Sequence, residues 1–173
     1  MTSTNNTARK ASEVDPANPR PENTYGHILR WREADDDPSA TTFARDVFLL
    51  AGKGEGSGDG STVAADAAFG SPDGLWVDPD YRVWILTDGS QPVPCNNQLL
   101  VADPFTGEVR RFLVGPKGCG ITGIHATPDQ RHLFVNVQHP GDAGTPEDHT
   151  AQSDFPDRDP AGRPRGNQAC RTS

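Results

Sequence analysis

Apolar and polar positions alternate along the middle of the chain in short runs, and one such pattern occurs twice, about 49 residues apart. The first copy is Ser71-Pro72-Asp73-Gly74-Leu75-Trp76-Val77-Asp78-Pro79-Asp80-Tyr81-Arg82-Val83-Trp84-Ile85-Leu86-Thr87-Asp88. The second runs from Gly120 through Ile121-Thr122-Gly123-Ile124 and Thr127-Pro128-Asp129 to Leu133-Phe134-Val135-Asn136-Val137. With Pro79 on Pro128, Gly74 meets Gly123, Leu75 meets Ile124, Arg82 meets Arg131, Trp84 meets Leu133, Ile85 meets Phe134 and Leu86 meets Val135. Each copy reads as a strand, a Pro-Asp turn and a second strand rich in β-branched and aromatic residues. Alternate positions, namely Leu75, Val77, Trp84, Leu86, Ile124, Leu133, Val135 and Val137, are expected to be buried between sheets.

Two further hairpins follow the same logic. Gly26 to Arg32 alternates as a strand, Ala34 to Ser39 is an acidic turn, and Thr42 to Leu50 returns. Asn97 to Ala102 leads through a turn at Asp103-Pro104-Phe105-Thr106-Gly107 into Glu108 to Leu113. A strand-rich unit recurring at roughly 40 to 50 residues is the signature of a β-propeller blade. The expected fold is therefore all-β: a partial β-propeller of antiparallel strands, about two to three blades of a propeller that closes with four or more. The expected division is a disordered leader over 1–22, the partial propeller over 23–142 and a disordered, Pro-rich tail over 143–173. Open blades leave exposed edge strands, and these are candidate docking edges for a protein partner.

Composition narrows the chemistry. Of 173 residues, 18 are Gly and 16 are Pro, and only 33% are hydrophobic, which suits a loop-rich β protein. The net charge is -8, from 24 acidic and 16 basic residues, with no Lys/Arg stripe, which argues against nucleic acid as a partner. The polar stretch Met1 to Glu22 is neither a signal peptide nor an anchor, and no run approaches the roughly 20 apolar residues of a membrane span. The loop over 52–60 has the glycines of a phosphate-binding loop but no Gly-Lys-Ser/Thr and no following helix, and it reads as a surface loop. Cys95, Cys119 and Cys170 have no zinc spacing, and their odd number leaves at least one thiol free. Whether Cys95 and Cys119 approach each other is open from the residues.

The order of several unusual runs then carries a resemblance. Gly26-His27-Ile28-Leu29-Arg30-Trp31, Ser71-Pro72-Asp73-Gly74-Leu75, Thr87-Asp88-Gly89, Asn96-Asn97-Gln98, Thr106-Gly107-Glu108-Val109-Arg110-Arg111-Phe112-Leu113, Ile121-Thr122-Gly123 and Gln138-His139-Pro140-Gly141 follow one another as in the C-terminal third of PhoX-type alkaline phosphatases. The resemblance covers about residues 17–142. It implies a six-bladed propeller from an exported enzyme of the periplasm or cell exterior. That enzyme hydrolyses phosphate esters with calcium and iron held by carboxylates and a cysteine from several blades. In the chain itself no signal peptide is expected, and its own location is left open.

The same resemblance places an acidic channel residue at Asp73, the first candidate metal ligand, against its alternative as a turn aspartate. His139 is the second candidate, suited to iron or to proton transfer, against a structural histidine. Gly120 stands where an acid is expected before Ile-Thr-Gly, and the run from Arg163 to Cys170 abandons the expected last strand. Asp88 reads as a turn residue, Cys119 as a buried apolar thiol, Arg110 and Arg111 as solvated, and Trp76 and Trp84 as packing between blades. The expectation is thus a fragment of a metal-dependent phosphatase, inactive alone and without tight metal binding. A non-catalytic interaction module and another propeller hydrolase are the alternatives.

Overall fold

The computed structural model describes residues 1–142 together with Gly144, Thr145, Glu147, Ser153, Phe155 and Pro156. The expectation of a disordered tail falls largely outside these residues. Within them the protein is all-β, with strands paired antiparallel in three sheets.

In the first sheet, β1 (Thr2–Ser3), β2 (His27–Glu33) and β3 (Phe43–Leu50) lie in that order. The acidic turn between β2 and β3 places Asp35 and Asp36 at φ of 58° and 56°, a conformation that short polar side chains tolerate. The second sheet is a meander of β4 (Pro72–Val77), β5 (Val83–Thr87), β6 (Gln98–Ala102) and β7 (Val109–Val114). The third is the hairpin of β8 (Gly120–Ala126) and β9 (Leu133–Gln138).

The central meander is covered on both faces, which is why β5 and β6 are almost continuously apolar. Ile85, Leu100 and Ala102 face one cluster, shared with Ile28, Leu49, Val63 and Phe69. Trp84, Leu86 and Leu99 face the other, shared with Cys119 and Ile121 and flanked by Ile124, Leu133, Val135 and Val137. Trp84 lies with its ring centroid 6.1 Å from Trp76 and 5.0 Å from Phe112. Of the expected interior positions, Trp84 and Leu86 are buried, Leu75, Ile124, Leu133, Val135 and Val137 are half-buried, and Val77, at the end of β4, is 56% exposed.

The repeat is physical as well as textual. Both hairpins carry a bulge at the same place, Asp73 in β4 and Thr122 in β8, where the register slips by one residue. Both turns hold one residue at positive φ, Tyr81 at 64° and Gln130 at 56°. The second turn is longer, however: the amide of Asp78 donates to the carbonyl of Arg82, whereas that of Thr127 donates to His132. The equivalences in the return strand therefore shift by one. Trp76 pairs with Trp84 and His125 with Phe134, so Trp84 corresponds to Phe134 and Ile85 to Val135. Phe134 is 62% exposed because it alternates with Leu133, Val135 and Val137, which pack on the cluster of Leu86 and Ile121, and so it points to the opposite face of the hairpin.

Residues 1–22, expected to be a disordered leader, are instead laid against the first sheet. β1 pairs with β2, Asn6 bridges to Asn23, and the Met1 ammonium donates to the carbonyl of Leu29 at 2.9 Å. The Arg20 guanidinium donates to the carbonyls of Ala51 and Gly26 and to Asn23 Oδ1 at 2.8, 2.6 and 2.7 Å. Hydrogen bonds hold this segment rather than a buried apolar stripe, and hydrophobic periodicity does not register that kind of order.

The glycine-rich loop over 52–60 has its own anchor. Asp59 accepts from the amides of Lys53 and Ser61 and from the hydroxyls of Ser57 and Ser61. Burial alone would push the carboxyl up, but these bonds prevail and bring it down to about 2. Its oxygens are engaged by the loop itself, in agreement with a structural surface loop.

Candidate functional site

The second sheet meets the β8–β9 hairpin at one end through two chain segments, the exit of β5 and the entry of β8. β5 leaves at Thr87, its last strand residue, into Asp88 and Gly89. The Asp88 amide donates to the carbonyl of Ser71 at 3.0 Å, which ties this exit to the start of β4. A Cβ built on Gly120 would lie 2.6 Å from Asp88 Cγ and 2.6 and 2.8 Å from its two carboxylate oxygens. Asp88 thus occupies the space into which any side chain at position 120 would project.

A polar network holds this corner, with Asn97 at its centre. Asn97 Oδ1 accepts from the Thr87 hydroxyl at 2.9 Å, the Gly89 amide at 3.1 Å and Gln91 Nε2 at 2.9 Å. Its Nδ2 donates to the carbonyl of Cys119 at 2.7 Å, and its own carbonyl accepts from the Gly115 amide at 2.8 Å. One side chain therefore fixes the exit of β5, the loop before β6 and the entry of β8. Gln98, fully buried, continues the network to Gln91 Oε1 and to the carbonyl of Ala68. Saturated networks of this kind rigidify strand ends.

Cys119 lies directly behind the corner and is 2% exposed. Burial pushes its thiol up to about 11, and the negative charge of Asp88 adds to the rise. At neutral pH it is a thiol, in keeping with a buried apolar cysteine rather than a nucleophile. Cys95 is disulfide-bonded and Cys119 is free, so the two are not paired with each other.

Asp73 and His139, the sequence-derived candidates, share no hydrogen bond or ion pair with each other. Asp73 is exposed on the bulge of β4, and its carbonyl accepts from the Thr2 hydroxyl at 2.7 Å. His139 follows β9 at φ 35°, exposed, with Nδ1 3.9 Å from Asp142 Oδ2. The acid that borders position 120 is Asp88, read from sequence as a turn residue. Its signal in the sequence is its place at the end of β5, directly after Thr87. Asn97 had no sequence signal beyond its place in the Asn-Asn-Gln run. Arg110 is exposed and paired with Glu108, whereas Arg111 turns inward and donates through Nη2 to the carbonyl of Ala68 at 3.4 Å. Only one of two neighbouring strand residues can face inward.

Among the described residues, no three His, Cys, Asp or Glu side chains converge in a way that could hold a metal ion. Calcium takes six to eight oxygen ligands. The donors at this corner do not fit such an ion by themselves.

Stacked antiparallel sheets with a rigid polar corner at their strand ends define a β-rich scaffold that presents loops and strand termini at one end. The chain belongs to the alkaline phosphatase PhoX family, whose family model matches residues 1–141. It is similar to the solved structure of Pseudomonas fluorescens PhoX in complex with vanadate, a transition state analogue, at 44% identity and a TM-score of 0.79. That likeness covers 94% of this chain and 29% of the Pseudomonas protein, so the chain spans less than a third of that relative's length. Comparison with curated proteins finds no match. The match from residue 1 agrees with a first segment that is part of the fold.

Proposed function

We propose that this chain supplies the C-terminal blades of a metal-dependent phosphatase of the PhoX type, and that hydrolysis of phosphate esters belongs to the complete enzyme. The observation that supports the assignment is likeness in sequence and fold together over nearly the whole chain. The relative's complex with a transition state analogue supports phosphate ester hydrolysis as the reaction class. The central four-stranded meander, covered on both faces, supports a radial stack of propeller blades, in which strand ends converge on one axis. The Asp88–Gly120 corner is the strand end that this arrangement turns toward the axis.

Among the described residues no three potential ligands gather at that corner or elsewhere, which supports an isolated chain that is inactive and holds neither calcium nor iron tightly. Carboxylates from other blades would complete the ligand set in the whole enzyme. Asp73, two residues beyond the Ser71 carbonyl that holds the Asp88 amide, and His139 remain the proposed ligands, and Asp88 joins them as a residue to test. Location is inferred from the family alone, as export to the periplasm or cell exterior. Among the described residues, no helix is long and apolar enough to cross a membrane. Among the described residues β3, β7 and β9 are edge strands, and these are the places where the rest of such an enzyme, or another protein, would pair.

The test has two parts. Metal analysis and p-nitrophenyl phosphate turnover on the purified chain should show neither stoichiometric metal nor hydrolysis, and turnover with bound metal would overturn the inactivity. A chimera placing this chain in the matching part of the Pseudomonas relative should hydrolyse the ester, with Gly120 or with Gly120→Glu. A folded, metal-loaded chimera that is inactive in both forms would overturn the phosphatase reading.

A further inference from the structure

The first 22 residues are fastened to the first sheet through His27, and the fastening has only one polarity. His27 is 1% exposed at the start of β2. Its Nε2 lies 2.8 Å from the carbonyl of Ala17, and its Nδ1 lies 2.8 Å from Asn23 Nδ2. A carbonyl only accepts, so Nε2 carries the proton and donates to Ala17. Nδ1 must then accept from the Asn23 amide nitrogen.

Rotating the Asn23 amide would not accommodate a second ring proton without loss. Asn23 Oδ1 already accepts from Arg20 Nη2 at 2.7 Å and from the Gly26 amide at 3.1 Å. Turning the amide breaks both bonds and sets its nitrogen against the guanidinium. Asn23, held in place by Arg20 and the Gly26 amide, therefore requires a neutral imidazole, whereas the Ala17 carbonyl accepts from Nε2 in either form and its bond by itself favours the charged ring.

The charges around the ring act in the same direction on balance. Arg20 and Arg9 oppose a positive ring, Asp15 favours one, and burial, the largest influence, disfavours it. The segment held by this circuit also joins two sheets. β1 pairs with β2, while the Thr2 hydroxyl donates to the carbonyl of Asp73 on the β4 bulge. A Cβ on Gly26 would collide with the carbonyls of Ser3 and Thr4, so β1 passes directly over the residue that precedes His27.

We propose that residues 1–22 form an acid-released strap, held closed across β2 and β4 while His27 is neutral and freed when His27 takes a second proton. The sign follows from linkage. The open strap binds the proton more readily than the closed one, so closure is complete above the ordinary histidine range near pH 6.5. It weakens as pH falls below that range, by up to about tenfold per pH unit. Release would withdraw Met1 from the open apolar groove beside Leu29, Trp31 and Leu75, and would untie the Asp73 bulge.

Hydrogen exchange on the full chain, corrected for intrinsic rates, tests this at pH 7.5 and pH 5.0. The amides of Asn6, Glu22 and Leu29 are bonded to Asn23, Arg9 and Met1, and they should lose at least about tenfold protection at pH 5.0. Amides of β5 and β6 should keep theirs. In His27→Gln, a neutral side chain with one donor and one acceptor, the acid loss should vanish. In Asn23→Asp, which offers a carboxylate to a charged ring, the strap should stay closed at pH 5.0. Unchanged protection in the parent chain, an equal loss in His27→Gln, or a parallel loss in β5 and β6 would overturn the proposal. If His27→Gln does not fold, a ring titration of His27 in the parent chain decides it. Protonation and strap opening must then share one midpoint, and separate midpoints would refute the strap.

Discussion

Gly120→Ala measures the corner directly, because the added methyl group enters space held by the Asp88 carboxylate. The Cβ would sit 2.6 Å from Asp88 Cγ, whereas comfortable carbon contacts begin near 3.5 Å, so Asp88 or β8 must retreat by about 1 Å. Overpacking of this kind costs about 1–3 kcal/mol, and because Asp88 is half-buried and can swing outward the lower part of that range is expected, about 1–2 kcal/mol. Urea unfolding of Gly120→Ala, Asp88→Gly and the double variant gives the coupling. The penalty of Gly120→Ala should disappear when Asp88 is absent. Gly120→Glu adds charge to crowding: two carboxylates about 4 Å apart repel by as much as about 4 kcal/mol at an effective dielectric of 20, less where water reaches them. Repulsion raises the carboxyl values in the folded state, so this part of the penalty is present at neutral pH and fades as pH falls into the carboxylate range. Calcium should stabilise Gly120→Glu and leave the parent chain unchanged. A neutral Gly120→Ala, or a penalty that persists without Asp88, would refute the juxtaposition.

The other expectations are more local. Asp78, 4% exposed, accepts from Trp84 Nε1 at 2.9 Å and Arg82 Nε at 2.6 Å; Asp78→Ala strands the buried indole N–H and should cost about 2–3 kcal/mol in urea unfolding. Burial works to raise the Asp78 carboxyl, but its bonds from Trp84 and Arg82 hold it below the usual range. Its contribution should therefore be complete above about pH 4 and be lost as pH falls further, a dependence absent from Asp78→Asn. Asp59→Ala should free the glycine loop, seen as new protease cleavage within 53–60. The parent loop should resist down to about pH 2, where its carboxyl titrates. Cys119, buried and raised to about 11, should react with a disulfide reagent at pH 8 only after denaturant is added; rapid reaction of the folded chain would contradict its burial.

Alternation and turn chemistry are local properties, and they made much of the fold legible. The hairpins over 26–50, 71–88, 97–113 and 120–138, their antiparallel pairing and the burial of Trp84 and Leu86 all follow from period-2 patterning between Pro-Asp and Gly turns. The ordered runs around Ser71 to Leu75 and Gln138 to Gly141 likewise sufficed to point to the family that the comparisons establish. Features that depend on hydrogen bonds between distant segments were not legible. Residues 1–22 look unstructured because their partners, Leu29, Ala51 and His27, lie elsewhere in the chain and leave no hydrophobic trace. The register of β9 turned on one extra turn residue, which a repeat alignment anchored on Pro128 absorbs without notice. The candidate site gained a residue for the same reason. Asp73 was chosen for its neighbours in sequence and sits exposed on the β4 bulge, whereas Asp88 meets Gly120 because Asn97 ties the end of β5 to the start of β8. Strand content is written in local periodicity; which carboxylate reaches which strand end is set by closure of loops far apart in sequence, and that is decided only when the sheets pack.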